Sequence, residues 1–275
     1  MKLEVISRRP AGATQPTPLL FVHGAYSGAW VWDQHFLPYF TARGYAAHAI
    51  SLRGHGKSEG REQLLFARLR DYVADVEQVM ATLDRPPVLI GHSMGGLVVQ
   101  KILHRRPVTA AVLMASAPPH GMIPSMFGMA FTNPGLFREL ALLQAFGPEA
   151  AGELNIRRSL FGDDTPDADV SRYMHRFQPE SSLVVLDLMG LDLPPSIPSL
   201  HLPVLVLGAS EDCFVFPSAI EATADTYRTQ AEIFAGMAHA MMLDHHWRKV
   251  ADRIAAWLPA ALAGGAADGA IVASA

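Results

Sequence analysis

The sequence predicts an α/β fold in which a mostly parallel sheet carries helices on both faces and is interrupted by an inserted helical segment. Short apolar runs alternate with stretches of helical spacing, which is typical of parallel sheets covered on both faces. At Gly91–Gly95 a turn of small residues joins an apolar strand to a helix. The strand pattern stops after Ala115 and returns at Val204, which separates the insertion from the sheet.

The elements follow from apolar periodicity. Before the insertion, we expect strands at residues 3–9, 19–22, 45–52, 87–90 and 108–114, and helices at 68–83 and 97–103. Within the insertion, from 118 to 198, the pattern favours helices at 135–146, 153–161, 167–177 and 180–191. After it, we expect strands at 204–208 and 231–234, helices at 218–227 and 245–258, and a flexible Ala/Gly-rich tail at 263–275.

Composition excludes several classes of function. The chain has 275 residues, of which 50% are apolar and 17% charged, with a net charge of −4 and one cysteine. A basic cluster for nucleic acid is lacking, and no apolar run reaches the roughly 18 residues of a spanning helix. The lone Cys213 rules out an internal disulfide and a cysteine-based zinc site. Since the N-terminus lacks the apolar stretch of a signal peptide, we expect a cytoplasmic protein without nucleic-acid or membrane-spanning partners.

The turn at Gly91–Gly95 has the Gly-x-Ser-x-Gly pattern of a nucleophile elbow, with Ser93 at its centre. A serine on so sharp a turn needs neighbours that are nearly free of side chains, which Gly91 and Gly95 provide. The following helix directs free N–H groups toward the carbonyl that Ser93 attacks, so the Met94 N–H is the natural oxyanion donor. The alternative interpretation is an ordinary glycine-rich turn before a helix.

Two later positions complete a catalytic arrangement. Asp212 and His239 each follow a predicted strand, at the sheet edge where catalytic residues of α/β folds collect. Their order, Ser93, Asp212, His239, is that of a known serine hydrolase arrangement. His239 would take the serine proton, and Asp212 would fix the imidazole. Glu211 is an alternative to Asp212 as the acid, and His245 and His246 are alternatives to His239 as the base. A metal site built from these three histidines is the weaker alternative.

The loop at 23–25 follows the second predicted strand and supplies a candidate second oxyanion donor, the Ala25 N–H. A plain strand-to-loop glycine at Gly24 is the alternative. Cys213 lies beside Asp212, but nothing in the sequence indicates reactivity, so we interpret it as structural.

With these motifs together, the chain resembles the α/β-hydrolase superfamily. The matching pieces are His23-Gly24-Ala25, Arg53-Gly54-His55-Gly56-Lys57-Ser58, Gly91-His92-Ser93-Met94-Gly95-Gly96, Asp212 and His239. The stretch 23–32 resembles the plant methylesterase and hydroxynitrile-lyase branch, whereas 53–60 resembles the monoacylglycerol-lipase and lysophospholipase branch. Family spacing favours Asp212 over Glu211. With a serine at position 93, the chain differs from haloalkane dehalogenases and epoxide hydrolases, which have an aspartate at the corresponding position.

The resemblance implies a core made of residues 1–117 and 199–262, with 118–198 as a helical cap over the active site. The cap is rich in methionine and phenylalanine, which suit an adaptable apolar pocket, although most of these side chains would simply pack the cap onto the core. The candidate substrate-binding residues are Tyr26, Met122, Met126, Phe127 and Phe131.

The leading hypothesis is a serine esterase that acts on an ester, lactone or thioester with an apolar portion, without a cofactor or metal. The same site could instead perform C–C bond hydrolysis, lyase or perhydrolase chemistry, because fold does not decide among them. A non-catalytic ligand-binding protein is the third hypothesis. The sequence leaves the substrate and the oligomeric state open.

Overall fold

A computed structural model of the protein describes residues 1–146, 157, 159–195 and 202–268. Its strands are β1 (Glu4–Arg8), β2 (Leu19–Val22), β3 (Ala47–Ser51), β4 (Val88–His92), β5 (Ala110–Met114), β6 (Val204–Ala209) and β7 (Ala231–Phe234). They form one sheet in the order β1-β3-β2-β4-β5-β6-β7. Only β1 is antiparallel to its neighbour, so the expected mostly parallel sheet is confirmed.

The helices cover both faces of this sheet. In the first half they are α1 (Trp30–Asp33), α2 (Phe36–Thr41), a short 3₁₀ helix (Arg61–Phe66), α3 (Leu69–Met80) and α4 (Met94–Ile102). Between β5 and β6 lie α5 (Ile123–Thr132), α6 (Pro134–Phe146), α7 (Asp167–Met174), α8 (Ser182–Leu186) and a π-helical turn (Asp187–Leu191). The chain continues with α9 (Pro217–Thr226) and α10 (Trp247–Asp268).

Alternation along β2 shows why the sheet is buried on both sides. Leu19 and Phe21 pack into one apolar core, and Leu20 and Val22 pack into the other. Successive side chains of a strand point to opposite faces, so helices must cover both. All five residues of β4 are buried, which places the strand before Ser93 in the middle of the molecule.

The structure departs from the sequence expectations mainly at element ends and in α1, α2 and α5, three helices that the pattern did not predict. No helix was expected between β2 and β3, because the aromatic residues there show no clear helical period. Trp32, Phe36 and Phe40 are fully buried against Phe21, so tertiary packing stabilises these short helices. In the insertion, most of the helix expected at 153–161 lies outside the described residues.

The last helix extends to Asp268, whereas the sequence pattern ended it at 258. Residues 269–275 lie outside the described residues, so flexibility of the 263–275 tail stays a prediction, as do the domain boundaries. Among the helices that the structure describes, none is long and apolar enough to cross a membrane.

Two ion pairs attach the end of the inserted segment to the sheet-bearing part. The Arg68 guanidinium binds the buried Asp187 carboxylate, which also accepts a 2.9 Å hydrogen bond from the Leu69 N–H at the start of α3. Lys101 on α4 pairs with Asp192 at 2.5 Å. These contacts hold this part of the insertion against the start of α3 and the last turn of α4.

Candidate active site

Ser93 lies at the turn between β4 and α4 in a strained backbone conformation, with φ 53° and ψ −121°. A non-glycine residue with positive φ costs about 1–3 kcal/mol, so surrounding contacts must hold it there. The Ser93 N–H donates to the Met114 carbonyl at 3.1 Å, and the Ser93 carbonyl accepts from the N–H groups of Gly96 and Ala117 at 3.0 Å each. These bonds fix the turn, and the side chain lines a cavity.

The two glycines of the motif are required by close backbone approach. A Cβ added at Gly91 would lie 2.5 Å from the Gly95 carbonyl oxygen. A Cβ at Gly95 would lie 2.5 Å from the Val22 carbonyl oxygen and closer still to that of His23. The small residues therefore let α4 begin directly against the end of β2, which brings Ser93 beside the loop that follows β2.

Asp212 and His239 meet at the carboxyl edge of the sheet. The His239 Nδ1–H donates to Asp212 Oδ2 at 2.7 Å, and both side chains are buried. The other oxygen, Asp212 Oδ1, accepts from the N–H groups of Phe214 (2.8 Å) and Val215 (2.9 Å). Because both carboxylate oxygens have donors, Asp212 is held in one orientation, and His239 Nε2 is left as the basic nitrogen.

A second histidine supports the backbone of the first. The Nε2–H of His92, the residue before Ser93, donates to the His239 carbonyl at 2.9 Å. Burial, reinforced by the neighbouring His239, lowers the pKa of His92 well below its usual value, so this imidazole is neutral. His92 therefore links the Ser93 turn to the loop that carries His239.

The alternative candidates for the acid and the base do not take part in the contact between Asp212 and His239. Glu211 accepts a hydrogen bond from the Ser210 hydroxyl, and it is exposed. His246 pairs with Asp164 at 3.3 Å, and its ring lies 5.1 Å from that of the exposed His245. Within the described residues, no cluster of three or more His, Cys, Asp or Glu side chains could hold a metal ion. Burial, together with the charges of Asp212 and Glu211, raises the pKa of the Cys213 thiol, which keeps it protonated.

The loop after β2 lies directly against Ser93. A Cβ at Gly24 would lie 3.0 Å from the Ser93 Cβ, and the next residue, Ala25, lines the same cavity as Ser93. Met94 begins α4, so its N–H has no acceptor within the helix, and its side chain is buried in the core. The two predicted oxyanion donors thus belong to the two backbone segments that flank Ser93.

Ser93 and His239 open into an apolar cavity of about 450 Å³ between the sheet edge and the inserted segment. Most of its lining is aliphatic, aromatic or methionine, and the larger of these side chains are Val31, Met122, Met126, Met129, Phe137, Leu140, Leu160, Met174, Phe177, Val185, Leu188, Met189, Phe214, Val215, Met242 and Leu243. None of the described lining residues is Lys, Arg, Asp or Glu. The cavity suits an uncharged ligand with a sizeable apolar part.

Tyr26, Met122 and Met126, three of the candidate substrate-binding residues, line this cavity. Phe127 and Phe131 do not, which corrects their assignment as substrate-binding residues: their side chains are 65% and 85% exposed. The reason is the helical period, because α5 turns Met126 and Met129 toward the cavity and presents Phe127 and Phe131 on its outer face. Composition alone could not predict which face of α5 turns toward the cavity.

Comparison with known proteins identifies the family to which the chain belongs. A model of the alpha/beta hydrolase family matches residues 19–253. The chain belongs to this family. The matched range runs from the start of β2 into α10 and contains Ser93, Asp212 and His239.

Among relatives of this alpha/beta hydrolase is the pyrethroid hydrolase of Sphingobium wenxiniae, 27% identical over 217 residues that cover 74% of each chain. The polyneuridine aldehyde esterase of Rauvolfia serpentina is 31% identical over 113 residues, 40% of this chain and 42% of the relative. A solved esterase from Thermogutta terrifontis superposes with a TM-score of 0.70 at 19% identity, over 94% of both chains. At that identity the structural likeness shows the fold alone.

Sequence reasoning missed several residues of the candidate site. Phe214 lies two residues after Asp212, and its ring is 4.9 Å from that of His239. Phe177, Gln178, Leu188 and Met189 come from the end of the inserted segment and line the cavity from that side. Only the position of Phe214 beside a candidate acid gave a sequence signal. The other four residues lie at the cavity because of how the inserted segment folds back over the sheet edge, and no local sequence pattern predicts that.

Proposed function

We propose that this alpha/beta hydrolase is a serine esterase that cleaves an uncharged carboxylic ester with an apolar portion through an acyl-enzyme on Ser93. The carrying observation is that the strained Ser93 and His239, which is hydrogen-bonded to the buried Asp212, open into one apolar cavity. The names of the relatives, a pyrethroid hydrolase and an esterase among them, support ester cleavage.

In the proposed reaction, Ser93 Oγ attacks the ester carbonyl carbon while His239 Nε2 takes the hydroxyl proton. Asp212 stabilises the imidazolium that forms. The N–H groups of Ala25 and Met94 hold the negative charge on the carbonyl oxygen. His239 then gives the proton to the departing alkoxide, which leaves as an alcohol, and the acyl group stays on Ser93.

In the second half, His239 takes a proton from a water molecule, which attacks the acyl carbonyl. The tetrahedral adduct collapses, and the proton passes back to Ser93 as the carboxylic acid leaves. The mostly apolar lining of the cavity favours substrates whose apolar acyl or alcohol part removes water from the site. An ionised group would be poorly solvated there, so charged esters should be poor substrates.

The test uses a fluorophosphonate probe and p-nitrophenyl esters of graded chain length. We expect the probe to label Ser93, and the Ser93→Ala and His239→Ala variants to lose at least about 1000-fold in kcat/KM. The matched control is His245→Ala, which removes a nearby exposed histidine and should keep wild-type activity. Unlabelled Ser93 in folded protein, or full turnover by Ser93→Ala, would overturn the proposal. Much faster reaction with cyanohydrins, vinylogous diketones or peroxide would replace ester hydrolysis with another reaction at this site.

A further inference from the structure

A buried charged cluster lies beside the site, among groups without a role in the reaction proposed above. Its centre is Glu180 of the inserted segment. Glu180 Oε1 accepts hydrogen bonds from the Tyr72 hydroxyl at 2.5 Å and from the Ser181 N–H at 2.7 Å. Glu180 Oε2 lies 3.3 Å from His55 Nε2 and accepts a hydrogen bond from the Tyr26 N–H, also at 3.3 Å.

The Glu180 carboxylate is ionised in this environment. Burial alone would raise its pKa, but His55, the Tyr72 hydroxyl and the Ser181 N–H together lower it below the usual value. Burial would also lower the pKa of His55, yet the charge of Glu180 raises it overall. An ionised acceptor forms stronger hydrogen bonds than a neutral one, so the Tyr26 N–H has a firm partner.

Tyr26 needs such a partner, because its backbone has a φ of 63°, which a side chain disfavours. The inserted segment holds this residue from both sides. Its N–H donates to Glu180, and its carbonyl accepts from the Gln178 N–H at 2.8 Å. The loop after β2 is therefore kept in its strained form by residues more than 150 positions later in the chain.

Two successive peptide planes of this loop are fixed. The Gly24 carbonyl accepts from His23 Nδ1 at 2.7 Å and from the Ser27 hydroxyl at 3.0 Å. That carbonyl shares its peptide plane with the Ala25 N–H, the proposed oxyanion donor. Glu180 fixes the next plane, between Ala25 and Tyr26, and so sets the remaining rotation about Ala25.

We propose that Glu180 is a positioning residue of the oxyanion hole: by holding the Tyr26 N–H it keeps the Ala25 N–H directed at the oxyanion. This inference rests on the proposed function, since it takes Ala25 as a donor to the reacting carbonyl. Glu180 does not line the cavity, so it acts through Tyr26 and not on the substrate.

The experiment compares Glu180→Gln with Asp187→Asn. Both residues are buried carboxylates of the same part of the insertion and both bind groups of the core, but Asp187 binds Arg68 and Leu69, away from the loop. In Glu180→Gln the amide oxygen suits the Oε1 position, where Tyr72 and Ser181 both donate. The amide nitrogen then faces the Tyr26 N–H, and two donors cannot bond each other.

We expect Glu180→Gln to lower kcat for a p-nitrophenyl ester by about 10- to 100-fold with KM changed less than about twofold. The affinity for an apolar trifluoromethyl ketone, whose adduct carries an oxyanion, should fall by a similar factor. Asp187→Asn should lower the melting temperature but keep kcat and ketone affinity within about twofold. Equal kcat in the two variants, or parallel losses of kcat and melting temperature in both, would overturn the positioning role.

If Glu180→Gln does not fold, Glu180→Asp decides, because it keeps the charge beside His55 but is one methylene too short to reach Tyr26 and Tyr72 together. Wild-type kcat and ketone affinity in Glu180→Asp would reject the proposal. Ser93 labelling reports separately on the proposed function. If wild-type protein fails that labelling, esterase chemistry fails; if it passes and the Glu180 variants match Asp187→Asn, only the positioning role fails.

Discussion

The side chain of His239 is held by Asp212, 27 residues earlier in the chain, through a 2.7 Å hydrogen bond from Nδ1 to Oδ2. The backbone of His239 is held separately by His92, 147 residues away. The imidazole therefore has one tautomer and one orientation, which are what the proposed role of general base requires. The same geometry distinguishes Asp212 from its neighbour Glu211.

We predict that Asp212→Asn lowers kcat/KM for p-nitrophenyl esters by about 1000-fold or more, because an amide in this position no longer selects the His239 tautomer with a free Nε2. Glu211→Gln is the matched control, one position away and exposed, and should keep activity within about twofold. Steady-state kinetics of the two purified variants measure this. A large loss in Glu211→Gln with little in Asp212→Asn would reverse the assignment.

We predict that Gly95→Ala destabilises the protein by about 3 kcal/mol or prevents folding, since its Cβ would overlap the carbonyl oxygens at the end of β2. Neither backbone segment can move without shifting a buried strand. The control is Gly12→Ala, where an added Cβ meets nothing within 4 Å. Urea denaturation of both variants gives the free energy of unfolding, and a wild-type value for Gly95→Ala would contradict the close contact.

We predict that Met126→Trp shortens the preferred acyl chain, with roughly a 10-fold loss of kcat/KM on the longest good substrate, because the ring fills part of the cavity. Phe127→Trp places the same ring one residue later on the exposed face of α5 and should leave the chain-length profile unchanged. The two profiles with graded p-nitrophenyl esters make the comparison. Identical profiles would mean that substrates do not reach Met126.

We predict that the free energy of unfolding decreases as the pH falls from about 6.5 to 5. Burial, with a smaller contribution from the nearby His55, lowers the pKa of His23 to about 3. Burial, reinforced by the neighbouring His239, also lowers the pKa of His92 well below its usual value. Since the unfolded chain binds protons near pH 6.5 and these native imidazoles do not, acid favours unfolding.

His55 acts in the opposite direction because its pKa is raised in the folded protein. Its protonated form stabilises the fold at low pH, and this stability is lost as the pH rises through the folded pKa. The lowered pKa values of His23 and His92 together change the free energy of unfolding more than the raised pKa of His55 does. The urea midpoint measured at several pH values checks the slope, and His23→Asn should flatten it. A midpoint that rises on acidification would contradict the neutral state of His23 and His92.

Local sequence was enough for the centre of the fold. The strand, turn and helix around Ser93 could be predicted because apolar runs and small residues act over a few positions, and the residues that flank the turn need space that only glycine gives. The chain order of Ser93, Asp212 and His239, together with the family resemblance, gave the candidate site. The structure places Asp212 against His239, and His239 lines the same cavity as Ser93.

Contacts between distant segments could not be predicted in this way. The face of α5 that Met126 occupies depends on how that helix packs, so Phe127 and Phe131 were assigned to a pocket from which they point away. Glu180 had no motif around it, and its contact with Tyr26 spans 154 positions. Periodicity and spacing describe neighbours along the chain, whereas a buried carboxylate finds its donors through the path of the whole insertion. The sequence by itself determined the sheet, the elbow and the order of the candidate triad; only tertiary packing decided the cavity wall and which distant residue holds the Ala25–Tyr26 loop.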